Sequence, residues 1–174
     1  PLERRGVIGS LRPVQVGILA VGLTLAVVMM RTLGSGAGVI AALALVVVAV
    51  ALVAGADWTI AVRAGVAMVA LQVSIGALND VVDVERDAGR KLAKPIPAGL
   101  VSRQGAQVVA IVAAVVGLGL SATLGPAVLA IAVLSLALGY GYDLVARGTA
   151  WSWLPFTIAL PLLPAYGWLA ATGE

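Results

Sequence analysis

Cysteine and histidine are both missing from the 174 residues. The first absence excludes disulfides, thiolate metal sites and cysteine nucleophiles. The second excludes imidazole bases and His-rich metal centres. Charge is scarce as well, with Asp, Glu, Lys and Arg making up 11% of the chain where ordinary globular proteins carry about a quarter. Any chemistry therefore falls to eight acidic and eleven basic side chains. In place of charge there is a hydrophobic content of 61% and a mean hydropathy of +1.10. One soluble core cannot need that much apolar surface, and uncharged runs of span length recur along the chain, so it reads as an integral membrane protein. The net charge of +3 and pI near 9.8 do not indicate nucleic acid. The basic residues sit almost wholly at the ends of apolar runs, which is a pattern of membrane topology.

Six apolar stretches can be marked, roughly 13–30, 37–54, 60–80, 104–122, 125–142 and 152–171. Gly34-Ser35-Gly36, Gly55, Pro95 with Pro97, and Gly125-Pro126 punctuate them. The runs are continuously apolar rather than alternating, so helices are the expected spanning form, and 21 glycines allow close helix approach in lipid. The expected fold is all-α, a polytopic transmembrane helix bundle of about six helices in one domain over 1–174. Arg4, Arg5 and Arg12 precede the first stretch as in a signal peptide, but no clear small-x-small cleavage site follows them. That stretch reads as a retained span.

Nine of the nineteen charged residues fall between 79 and 103. On a helix running to about residue 88, with Asn79 at 0°, Asp83 falls at about 40°, Asp87 at about 80° and Asp80 at about 100°. Four oxygen-bearing side chains then share a face, and Glu85 points roughly the other way. Carboxylates stacked so closely repel one another unless something positive lies between them. A hard divalent cation removes the conflict, and Mg²⁺ is usually held by one or two carboxylates plus substrate phosphates. The alternative is a solvated charged loop between spans.

The pattern Asn79-Asp80-x-x-Asp83-x-x-x-Asp87, followed by Lys94-Pro95-Ile96-Pro97-Ala98-Gly99 and Ser102, resembles the first aspartate motif and trailing loop of the UbiA-type intramembrane prenyltransferases. The resemblance implies that Asn79, Asp80, Asp83 and Asp87 hold Mg²⁺ bridged to the diphosphate of a polyprenyl donor. A second stretch, Gly139-Tyr140-Gly141-Tyr142-Asp143 through Arg147-Gly148-Thr149, is similar to the family's loop between its fourth and fifth helices. There a Tyr, here Tyr142, precedes a basic residue that helps to hold diphosphate. Arg147 stands at that basic position, and a guanidinium offers planar donors to phosphate oxygens. Asp143 reads equally as a further ligand or proton acceptor and as a plain loop charge. Gln72, seven residues before Asn79, lies within about 20° of it and about 10 Å deeper. It lines a substrate cavity or serves as interhelical glue.

Five basic residues between 86 and 103 put the motif loop on the cytoplasmic side of the cell membrane. The next two stretches make a hairpin that returns Arg147 to the aspartates. Three spans before the motif would put Arg4, Arg5 and Arg12 outside, against the same rule, whereas two spans would satisfy it. The mechanism implied by the resemblance is ionisation of an allylic diphosphate, with Asp83, Asp87 and Arg147 at its centre and Lys91 or Lys94 adding positive charge. The cation is captured by an electron-rich acceptor: an aromatic acid, a chlorin, a haem or a glycerol phosphate lipid. Rival readings are a cation transporter or channel and a non-enzymatic membrane subunit. The family's second aspartate motif has no counterpart after Asp143, so the expectation is the N-terminal portion of a larger domain, slow or inactive alone.

Overall fold

A computed structural model describes residues 13, 15–17, 20, 24, 35–87 and 94–173, with the side chains of Ser35, Arg86 and Asp87 outside the description. Five long helices fill it: α1 Ser35–Val53, α2 Trp58–Val82, α4 Arg103–Ala122, α5 Pro126–Gly141 and α6 Leu154–Thr172. Between α2 and α4 lies a four-residue turn, α3 Val84–Asp87, and a π-helical turn, Tyr142–Ala146, continues α5. No strand occurs among the described residues. Each long helix, with α5 extended through Ala146, is long and apolar enough to cross a membrane. The five later apolar stretches of the sequence become these five helices, and most of the first stretch lies outside the described residues. Gln15 is within them, and its Nε2 donates to the Val53 carbonyl at 2.6 Å. Residue 15 thus sits at the end of the bundle opposite the Asp83 end of α2, as three crossings before the motif require.

Local chemistry fixes where the helices begin. Asp57 caps α2, its Oδ1 accepting from the Thr59 N–H at 2.7 Å, the Ile60 N–H at 3.0 Å and the Thr59 hydroxyl at 2.6 Å. These bonds satisfy donors that the first turn would leave orphaned. They also hold the Asp57 carboxyl below its ordinary value, the Thr59 hydroxyl bond contributing most. Ser102 caps α4 through the Gly105 N–H at 3.0 Å. Pro126 opens α5 behind Gly125 at φ +127°.

α2 is the central helix, packing on α1, α4, α5 and α6. Val47, Met68, Leu71, Val128 and Tyr166 are fully buried at its flanks. Two buried serines tie the helices together. Ser74 donates to the Ala110 carbonyl at 2.6 Å and so accepts from the Tyr140 hydroxyl at 2.7 Å. Ser121 donates to the Gly117 carbonyl at 2.7 Å and accepts from Tyr166 at 2.8 Å. With the bilayer offering no water to these groups, each hydroxyl is satisfied inside the bundle.

Candidate active site at one end of the bundle

The charged residues of the two motif stretches meet where α2 ends and α5 passes into its π-turn. α2 stops at Val82, and Asp83 is its C-cap at φ −87° and ψ 1°, with its N–H bonded to the Asn79 carbonyl. The expected unbroken helix to residue 88 is therefore interrupted at Asp83. The shared face holds for Asn79, Asp80 and Asp83, which belong to α2 and its cap. Asp87 stands on the separate turn α3, and its side chain is outside the described residues, as is all of Lys91. Glu85 is exposed.

On the other side, the Arg147 N–H bonds to the Tyr142 carbonyl at 2.9 Å, closing the wider π-turn. The turn keeps Asp143 and Arg147 on one side, and Arg147 Nη2 lies 2.5 Å from Asp143 Oδ1. The other terminal nitrogen, Nη1, pairs with Asp83 Oδ2. One guanidinium thus bridges α2 to the π-turn. Its central carbon, Cζ, also lies over the Tyr142 ring, 5.1 Å from the centroid. Burial works against the charged form of Arg147, but the hydrogen bond that it donates to Asp83 and the charge of Asp143 outweigh it, and its pKa rises above the ordinary value.

Lys94 reaches in from the loop after α3. Its Nζ lies 3.0 Å from Asp80 Oδ1, 3.7 Å from Asp83 Oδ2 and 3.3 Å from Asn79 Oδ1. Asn79 Nδ2 in turn donates to Asp143 Oδ1 at 3.0 Å. The amide is oriented by charge, oxygen toward the ammonium and nitrogen toward the carboxylate. The loop that carries Lys94 is folded on itself. The Ala98 N–H bonds to the Lys94 carbonyl, and the Leu100 and Val101 N–H groups share the Pro95 carbonyl. Gly99 takes φ +70° at the tight return.

The sequence expectation thus brings Asn79, Asp80, Asp83, Lys94, Asp143 and Arg147 into one network. Asp143 lies inside this network, its side chain only 1% exposed and held from two sides. Asp83 Oδ1 and Asp143 Oδ2 are buried with no hydrogen-bond partner among the described residues. A buried carboxylate oxygen left unpaired is costly. No three carboxylates among the described residues lie close enough to hold a metal by themselves. The set still fits Mg²⁺ in its ordinary mode, in which one or two carboxylates act together with substrate phosphates. Asn79, Asp80 and Asp83 offer only hard oxygen donors, and two buried oxygens nearby lack partners.

Directly inward lies an apolar cavity of about 260 Å³ between α1, α2, α5 and α6. Gln72 and Met68 line one side, Phe156 and Leu160 another, and Tyr142 the charged end. Gln72 donates to Met68 Sδ at 3.7 Å and is placed as expected, two turns inside Asn79. Tyr142 packs edge-on against Phe156, ring centroids 4.6 Å apart. It thereby separates the guanidinium from the cavity. The Phe156 contact and the Tyr140–Ser74 bond, which anchors the helix just before the π-turn, were not visible in the sequence. Phe156 is the chain's one phenylalanine, but nothing local ties it to a tyrosine fourteen residues earlier.

No curated protein and no solved structure matches the chain. A family profile does, that of the UbiA prenyltransferase family, over residues 39–174. The match runs from within α1 to the end of the sequence and takes in both motif stretches, the cavity and every helix that lines it. On that match, and with charged network and apolar cavity both inside it, the chain belongs to the UbiA prenyltransferase family.

Proposed function

We propose that the protein transfers a polyprenyl group, in a Mg²⁺-dependent reaction within the membrane, from a polyprenyl diphosphate to an electron-rich aromatic acceptor. The observation that carries this reading is the junction at Tyr142. On one side lie two basic groups and three carboxylates, and on the other an apolar cavity of about 260 Å³. A polyprenyl diphosphate has the same division, a polyanionic head on a hydrocarbon tail.

Charge supports the metal requirement. Among the described side chains, Asp80, Asp83 and Asp143 against Lys94 and Arg147 leave one net negative charge, which a divalent cation bound with the diphosphate would offset. Asn79, Asp80 and Asp83 are the residues that would hold Mg²⁺, with Asp87 the further carboxylate of the motif. When bound, the metal supplies positive charge that stabilises the departing diphosphate.

The residues of the chain do the rest. Arg147, fixed by Asp83, Asp143 and the Tyr142 ring, presents donors to the diphosphate without having to reorganise. Lys94 adds positive charge on a flexible four-carbon stem, and Lys91 is a further basic residue of the same motif stretch. The allylic C–O bond breaks, and the diphosphate leaves with the electron pair. The cationic carbon forms a new bond to the acceptor, which then loses a proton. Met68, Phe156 and Leu160 keep water from the cation, and the Gln72 amide is the polar contact that orients the acceptor or the near end of the tail.

The test supplies polyprenyl diphosphates of graded length, Mg²⁺ and candidate acceptors to membranes containing the chain, coexpressed with a segment that carries the family's second aspartate motif, followed by mass spectrometry of the lipid extract. The expected result is a prenylated product that disappears on chelation. Neither product nor released diphosphate with any donor would overturn the reading.

A further inference from the structure

Three oxygens of α2 and its cap, Asn79 Oδ1, Asp80 Oδ1 and Asp83 Oδ2, converge on a single positive atom, Lys94 Nζ, at 3.3, 3.0 and 3.7 Å. Convergent oxygen donors around one cation are also what a hard metal ion requires. Building on the proposed metal-diphosphate site, we infer that the Lys94 ammonium and the divalent cation are alternative occupants of one position, so that metal binds well only when a diphosphate is present to receive the displaced ammonium.

The two basic groups of the site are built differently. Arg147 is clamped by Asp83, Asp143 and the face of Tyr142, and its side chain is 15% exposed. The Lys94 backbone is tied into the loop by the turn that bonds Ala98 N–H to its carbonyl, and its ammonium is held by the oxygens of α2 and its cap. Its side chain is 24% exposed, and a four-carbon stem can swing a compact ammonium to a new anion. A metal held by the same oxygens would take up the lone pairs that now face the ammonium and would repel its charge. Both cannot stay. With no diphosphate, removing Lys94 from three oxygen partners opposes metal entry. With diphosphate, the ammonium exchanges carboxylate for phosphate oxygens, and the opposition disappears. Metal and diphosphate therefore raise each other's affinity, and the coupling is reciprocal.

The experiment measures Mn²⁺ binding by electron paramagnetic resonance of the free ion, with and without inorganic pyrophosphate, for the full chain and for Lys94→Met and Lys94→Arg in detergent. Wild type is expected to bind Mn²⁺ at least tenfold more tightly when pyrophosphate is present. Lys94→Met is expected to bind Mn²⁺ alone at least tenfold more tightly than wild type, with the coupling reduced by a similar factor, while Lys94→Arg stays near wild type. Independent binding of Mn²⁺ and pyrophosphate in wild type overturns the inference without recourse to any variant. So does a Lys94→Met protein whose affinity for Mn²⁺ alone is unchanged or weaker. If wild type takes up no Mn²⁺ even with pyrophosphate, the metal-diphosphate reading fails and the exchange fails with it. Metal-dependent pyrophosphate binding with no Lys94 effect removes the exchange alone.

Discussion

At the scale of single residues, the decisive comparison is between Asp83 and Glu85, two carboxylates separated by one residue. Asp83 is 7% exposed and touches both basic groups of the site, whereas Glu85 faces outward. Asp83→Asn removes a charged partner of Arg147 and Lys94 and should weaken Mg²⁺-dependent pyrophosphate binding by about ten- to a hundredfold, the range for losing a charge-assisted contact. Glu85→Gln should leave it unchanged, and isothermal titration of both variants checks the pair. Equal losses would mean that the face of α2 does not define the site. Arg147 permits a second test. Its removal leaves Asp143 buried without a charged partner on its own turn, held only by the Asn79 amide, and breaking one side of such a pair typically costs about 3–5 kcal/mol. Arg147→Met should therefore lower the unfolding midpoint, and adding Asp143→Asn should restore much of it, a non-additivity expected of groups in direct contact. Simple additivity in the double variant would show that the two do not act as a pair. The one-sidedness of Asn79, Asp80 and Asp83 could be read from helical period alone. The place of Asp143 could not, because it depends on a π-turn that no spacing announces and on Asn79, 64 residues away.

At the scale of elements, the apolar runs located all five described long helices to within a few residues. The errors lie where side chains rather than hydropathy set the ends. α2 begins at Trp58 because Asp57 caps it, two residues before the apolar run suggests. Asp57→Ala should lower the thermal midpoint, and Asp57→Asn should retain most of it, since Asn also accepts from the first turn. The folded value of the Asp57 carboxyl is depressed, so its contribution is present above the ordinary value of 3.8 and disappears as pH falls through the folded value. The gap between wild type and Asp57→Ala should accordingly stay constant from pH 7 to pH 5 and close only below the ordinary value. Glycines show the same dependence on tertiary context. A Cβ on Gly167 would stand 2.8 Å from the Val47 carbonyl oxygen, a backbone atom that cannot turn aside, whereas Gly119 has nothing within 4 Å. Gly167→Ala should cost about 1–3 kcal/mol as overpacking between α1 and α6. Gly119→Ala should be neutral or stabilising by roughly 0.5–1 kcal/mol, since a mid-helix glycine gains from a methyl group. Denaturant-dependent unfolding in detergent measures both, and reversed signs would show that α1 and α6 do not approach as closely as the Val47 contact requires.

At the scale of the whole molecule, the question is which residues share a side of the membrane. The ion pairs from Lys94 and Arg147 to Asp83 put the 94–101 loop and the π-turn at one end of the bundle. The α4–α5 turn at Thr123 lies a full helix length away, as does Asp57 at the start of α2. Gln15 belongs with that far end through its bond to Val53. Basic residues are not distributed to match. Five lie in 86–103, but Arg4, Arg5 and Arg12 precede a segment that begins at the opposite end, so the positive-inside rule gives contradictory orientations. Geometry is free of that conflict. The chain contains no cysteine, so single cysteines report side without background. Ala98→Cys and Ala150→Cys are both at exposed positions, and they should react with an impermeant maleimide from the same side of sealed vesicles. Thr123→Cys, also at an exposed position, should react only from the other. Ala150 serves better than Gly148, whose φ of +76° would strain any side chain. Opposite-side labelling of Ala98→Cys and Ala150→Cys would separate Lys94 from Arg147 by the thickness of the bilayer and leave the shared site without a basis. Same-side labelling, repeated with a cysteine at Gln15, then fixes the far end independently of charge. If Gln15→Cys labels with Thr123→Cys, an odd number of crossings precedes the motif.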